Sequence, residues 1–113
     1  MEILDKYIGT DFDIEISLPE KIEDYKRLVI DISHFDGTNL IQFDLEDERV
    51  EILDDKSFLV KITNDITIKA RPGLYFIEIH EVLEDTERPT GKFVIISREK
   101  LCNFITAITS YLK

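Results

Sequence analysis

The stretch ARPGLYFIEIHEVLED, residues 70–85, decides the fold class. Pro72-Gly73 is a turn signal, because proline presets φ and glycine accepts positive φ without steric cost. Behind it Tyr75, Ile77 and Ile79 alternate with Phe76, Glu78 and His80, which is the two-residue period of a strand. The same stretch raises a chemical question, since Glu78, His80 and Glu81 stand close together. Glu78 and His80 share a face simply because strand side chains repeat every two residues. His80 therefore reads first as a strand residue, and only second as a general base paired with a carboxylate.

Other segments repeat the pattern. In FDIEISL (12–18), Phe12, Ile14, Ile16 and Leu18 lie on one face, and Pro19 ends the run because it cannot donate to a ladder. LVIDISHF (28–35) alternates again, and the turn DGTN (36–39) returns the chain through LIQFDL (40–45) as a hairpin. A short strand is expected around Val50 and Ile52, followed by a turn at Asp54-Asp55-Lys56. SFLVKIT (57–63) then places Phe58, Val60 and Ile62 on one face, while ITIKA (66–70) is either extended or a half-turn. KFVIIS (92–97) is nearly continuous in apolar character, as a strand buried on both sides would be. After it the period changes. In REKLCNFITAITSYLK (98–113), Leu101, Phe104, Ile105, Ile108 and Leu112 fall at the spacing of one helical stripe. Ser97 is placed to cap that helix and Glu99 to sit in its first turn. The β-branched run ITAIT opposes this, being a weak helix former.

The expectation is an all-β protein: an antiparallel immunoglobulin-like β-sandwich of about seven strands with one C-terminal α-helix. A β-sandwich domain would occupy residues 1–97, and residues 98–113 would form a helix that is part of the same domain or a docking element. In the second case Leu101, Phe104, Ile105, Ile108 and Leu112 are the interaction residues.

The chain has 113 residues and a net charge of −10. Residues 1–55 carry 17 acidic and 5 basic side chains, whereas residues 56–113 carry 7 and 9. Direct binding to nucleic acid needs clustered Lys and Arg, so this composition argues against it. The acidic half reads as a solvated surface, or as a surface complementary to a neighbouring copy or a basic partner. With Cys102 alone, no intramolecular disulfide can form. The opening MEILDKYIGTDFD has neither the basic start nor the apolar run of a secretory signal. No window approaches the roughly 20 apolar residues of a membrane helix, and no membrane partner is expected.

Catalytic and metal-binding signatures are weak. His34 and His80 are the only histidines, and His34 falls in line with Leu28, Ile30 and Ile32 at the end of an inner face. With one cysteine, a tetrahedral zinc site lacks ligands. DLEDERVEILDD (44–55) holds seven carboxylates but no glycine, so it does not match a calcium loop and reads as a charged strand edge. There is no Gly-x-Ser-x-Gly elbow, Cys102 has no neighbouring histidine in sequence, and the four glycines form no phosphate loop. No enzyme activity, cofactor or metal is expected.

The order of features resembles a small β-sandwich domain common in tailed-phage structural proteins. YIGTDFDIEISL resembles its opening, with Gly9-Thr10-Asp11 where the family has a Gly-Asp turn. SFLVKITNDITIKARPGLYFIEIHEVLEDTERPTGKFVI resembles its closing half, with Pro72, Gly73, Tyr75, Glu78, Gly91, Phe93 and Ile95 at the motif positions. Such domains stand at the N-termini of upper baseplate and fibre-type proteins. The resemblance implies a non-catalytic virion structural and assembly protein, located in the virion after assembly in the host cytoplasm. Its partners would be other virion proteins or further copies of itself. The alternative is a small acidic inhibitor or adaptor, a nucleic-acid mimic that binds a basic protein surface through Asp11, Asp13, Glu15, Asp44, Glu46, Asp47, Glu48 and Glu51.

Overall fold

The computed structural model describes residues 5–82 and 93–106. Among them are eight strands: β1 (Asp5–Tyr7), β2 (Phe12–Ser17), β3 (Leu28–His34), β4 (Asn39–Asp44), β5 (Val50–Ile52), β6 (Ser57–Ile62), β7 (Gly73–Val82) and β8 (Phe93–Ile105). They form two sheets. One has the order β1-β8-β7-β3-β4 and the other β2-β6-β5. All pairs are antiparallel except β1 with β8, which is parallel.

The alternation in the sequence becomes burial. Ile16, Phe58, Val60 and Ile62 of the smaller sheet face Ile30, Ile32, Tyr75, Ile77, Ile79, Cys102 and Phe104 of the larger one, and all belong to one buried cluster. Each such side chain contributes about 1.5–3 kcal/mol by leaving water. Tyr75 meets the Phe104 ring edge-on at 5.1 Å, and Phe12 of the other sheet lies 6.1 Å from the same ring.

The link from β6 to β7 carries α1 (Asn64–Thr67), which buries Ile66 and Thr67. Thr67 Oγ1 donates to the carbonyl of Thr10 at 2.9 Å, which ties this corner to the turn before β2. The chain then enters β7 through Pro72-Gly73. Gly73 has φ +132, and a Cβ there would stand 2.5 Å from Nε2 of His34, so only glycine fits. The Tyr75 hydroxyl reaches back and accepts the amide of Arg71 at 2.8 Å.

Three expectations change. The described residues hold eight strands rather than seven, and the β1–β8 pair is parallel. Residues 98–105, expected in a helix, continue strand β8, so no break occurs at 97/98 and Ser97 pairs with Ile79 instead of capping a helix. Among the described residues the α-helix lies mid-chain, overlapping the start of the segment left open between extended and turned. Two register shifts explain the misleading spacing. Tyr75 pairs with Cys102 but Phe76 with Lys100, so Leu101 is an extra residue; Ile79 pairs with Ser97 but His80 with Ile95, so Ile96 is another. Such bulges break the two-residue period, and Leu101 and Phe104 then mimic a helical i, i+3 pair. The rest of the expected helix, including Ile108 and Leu112, lies outside the described residues.

Candidate functional site

The outer face of the five-stranded sheet gathers most of the polar side chains that could act together. Register sets three rungs across it. Lys100, Phe76 and Ser33 form one, Arg98, Glu78, Asp31 and Gln42 the next, and Ile95, His80, Val29 and Asp44 the third.

The middle rung is a hydrogen-bonded cluster. Glu78 Oε1 lies 2.7 Å from His80 Nε2, and its Oε2 accepts from Arg98 Nε at 2.8 Å. The Arg98 guanidinium also lies over the Phe76 ring, 3.8 Å from its centroid, so stacking and ion pairing fix its plane together. Burial pushes the Glu78 carboxyl up, but the hydrogen bonds from His80 and Arg98 outweigh it and leave the group below its ordinary value. Beside it, Asp31 Oδ1 accepts from Ser33 Oγ at 2.6 Å, and Oδ2 accepts from Asn39 Nδ2 and Gln42 Nε2, each at 3.0 Å.

Toward the β3–β4 turn this face opens into a cavity of about 290 Å³, lined by Asp31, Ser33, His34, Phe35, Gly37, Phe76, Glu78 and Arg98. His34 is buried, and both ring nitrogens are engaged. Nε2 is 3.0 Å from the carbonyl of Pro72, and Nδ1 is 3.2 Å from the amide and 3.0 Å from Oδ1 of Asp36. Nε2 can donate to Pro72, while Nδ1 accepts the Asp36 amide when it carries no proton and donates to Asp36 Oδ1 when it does. Asp36 in turn pairs with Arg71. The amide of Thr38 first, then Arg71, hold the Asp36 carboxyl far below the usual range. His34 thus braces the corner that Gly73 opens and has no ring nitrogen left for a substrate.

The expected interaction stripe is placed as follows. Leu101 and Phe104 are buried in this chain's own core, and Ile105 is half-buried beside Tyr7 of β1. The acids of the first half fall on both sheets. Asp13, Glu15 and Glu51 lie on the smaller sheet, the last two flanking Leu59 across three strands. Asp44 is on the larger sheet and pairs with Arg27 at 3.0 Å, while Asp47 pairs with Arg49 at 3.1 Å. Among the described residues no three His, Cys, Asp or Glu side chains converge as metal ligands. No helix of the described residues is long and apolar enough to cross a membrane. Burial raises the Cys102 thiol to about 12, so it is no nucleophile.

Sequence reasoning passed over Arg98, Phe35 and Asp31. Asp31 and Ser33 were legible as outward positions of β3, but Arg98 was hidden by the helical reading of its segment. The chain matches no family model, and no curated protein matches it.

Proposed function

We propose that the chain is a non-catalytic protein–protein interaction module, an immunoglobulin-like sandwich that serves as an assembly protein of a tailed-phage virion. Two features support the immunoglobulin-like part. The order β8-β7-β3-β4 against β2-β6-β5 corresponds to strands G-F-C-C′ against B-E-D, with β1 joined to the G edge. Tyr75, near the start of the F-equivalent strand, bonds the backbone four residues upstream, as a tyrosine corner does. The virion part rests on the resemblance of the Pro-Gly-x-Tyr segment and its flanks.

One observation carries the interaction reading. Val94 and Ile95 are consecutive in β8, so their side chains point to opposite faces of the sheet, yet they are 44% and 48% exposed. At this end of the β7–β8 ribbon, strand β8 therefore leaves a branched apolar side chain about half exposed on each face. Among the described residues β8 is here the edge strand beside β7, and burial of those side chains by a partner would remove apolar surface from water. The docking element in this proposal is that ribbon end.

Native mass spectrometry across a concentration series tests it. The expected result is a defined oligomer, or a stable complex with another virion protein, that the double substitution Val94→Ser/Ile95→Ser disperses. A protein that stays monomeric at high concentration and binds no virion component sinks the reading. An assembly untouched by the double substitution removes the ribbon end as its contact.

A further inference from the structure

We propose that the cavity beside the β3–β4 turn is a binding site for a neutral sugar unit. This site does not draw on the assembly reading: the cavity is lined by Phe76, Glu78 and Arg98 but by neither Val94 nor Ile95. It begins with Arg98. A guanidinium carries five N–H donors, and only Nε is bonded among the described residues. Its plane is already fixed by the Phe76 ring and Glu78. The remaining fork is thus held in one orientation before any ligand arrives, which lowers the ordering cost of binding.

The acceptors are equally set. Three donors hold the Asp31 carboxylate still, and an ionised carboxylate offers about four acceptor sites, so at least one remains. Glu78 is fixed from both oxygens by His80 and Arg98 in the same way. At the rim, Phe35 is 64% exposed, an unusual position for a phenyl ring. It is nonetheless held: its amide donates to the carbonyl of Leu74 at 2.8 Å, and its ring packs on His34 at a centroid distance of 4.6 Å.

Charge and size select the ligand class. Two carboxylates against one guanidinium leave the lining with a charge of −1, which disfavours an anion. The fixed guanidinium opposes a cation, and a wholly apolar ligand would strand the polar lining. A pyranose is neutral and each hydroxyl both donates and accepts, so neighbouring hydroxyls can take hydrogen bonds from Arg98 and give them to Asp31 or Glu78. Its C–H face matches the Phe35 ring. A volume of about 290 Å³, just below the roughly 300–1,000 Å³ of small-molecule sites, limits the ligand to one sugar unit. For a ligand of about a dozen heavy atoms, affinity on the order of millimolar follows.

Amide-resolved NMR titration with methyl β-glucopyranoside, methyl β-galactopyranoside, methyl α-mannopyranoside and N-acetylglucosamine, each to about 50 mM, tests the site well above that range. The expected result is saturable shifts at Asp31, Phe35, Gly37, Phe76 and Arg98 for at least one sugar, weakened at least tenfold by Phe35→Ala and by Arg98→Ala. Val94→Ser/Ile95→Ser should leave the titration unchanged, which separates this site from the assembly surface. Oligosaccharides of the responding sugar distinguish a polymer from a free monosaccharide. Tighter binding of the oligomer assigns the site to a chain, and equal binding assigns it to the single unit. No saturable shift with any of the four sugars overturns the proposal. So does a response confined to glucuronate or phosphate, or one that survives both cavity substitutions.

Discussion

The two ends of the β7–β8 ribbon are built from the same kinds of residue and meet different environments. At one end Tyr75, Ile77, Cys102 and Phe104 are buried against the smaller sheet. At the other, Val94 and Ile95 are about half exposed. Local pattern does not distinguish them, because both ends alternate or run apolar as strands do. Coverage does. The central strand of the smaller sheet, β6, has six residues, whereas β7 has ten and β8 thirteen. At about 3.3 Å per residue, six residues span roughly 20 Å and thirteen up to roughly 43 Å, less what the bulges take up. The ribbon is longer than the central strand of the sheet that packs on it. Which face a side chain occupies is a local property, but whether that face is covered depends on the length of a different sheet.

The largest test of the contrast is Phe104→Ala. A fully buried phenyl ring packed on Tyr75 and Phe12 should cost about 3–5 kcal/mol when truncated. Urea denaturation measures this directly. A loss below about 1 kcal/mol, the range of exposed positions, would mean that Phe104 is not core, and would revive its reading as a docking residue.

Gly73→Ala comes next and probes how the covered end is entered. A Cβ there conflicts with the His34 ring and the backbone sits at φ +132, so a loss of roughly 2–4 kcal/mol is expected. Gly37, at φ +95, has nothing within 4 Å of the place a methyl group would take, and Gly37→Ala should cost only about 1 kcal/mol. Adding His34→Ala to Gly73→Ala should recover part of the loss, since two residues in contact are not additive. Equal effects of the two glycine substitutions would show that backbone strain alone sets the cost and that the histidine contact adds nothing.

Acid titration separates the polar outer face from the apolar interior. The folded-state pKa of Glu78 is lowered, so its contribution to stability is present above the ordinary glutamate range and is lost as pH falls through the lowered value. Glu78→Gln should therefore flatten the acid side of the stability–pH profile. Asp36 acts in the same direction, but it lies exposed on the far side of the His34 corner. Parallel acid limbs in the wild-type and Gln proteins would remove Glu78 as a source of that dependence.

Much of the fold was legible because β2 alternates strictly and β3, β6 and β7 keep an apolar residue at every second position, and every inward residue assigned to β7 from Tyr75 to Ile79 is buried. Strand β1 was not legible: three residues in a parallel pair carry no period to detect. Strand β8 failed for a different reason. Leu101 and Ile96 are inserted by bulges, and an insertion depends on the partner strand, which the local pattern does not contain. The candidate site shares that difficulty. Asp31, Glu78 and Arg98 come from three strands far apart in sequence, and they meet only because register places them on one rung. The pairing of Glu78 with His80 was the one contact within reach, since both lie on one strand.

The smallest expected change in stability belongs to the half-exposed end, and it makes the sharpest use of the contrast. Val94→Ser/Ile95→Ser replaces two branched apolar side chains that stay about half exposed after folding, so unfolding free energy should move by only about 0.5 kcal/mol per site. Some loss of β propensity is included in that figure. Two buried residues treated the same way would lose several times as much. A loss above about 2 kcal/mol for the pair would mean that this end is packed after all, and the two-ended picture of the ribbon would collapse. A near-zero change in the isolated chain, together with dispersal of its assembly, would place the energetic role of these side chains in contacts between chains, not within one.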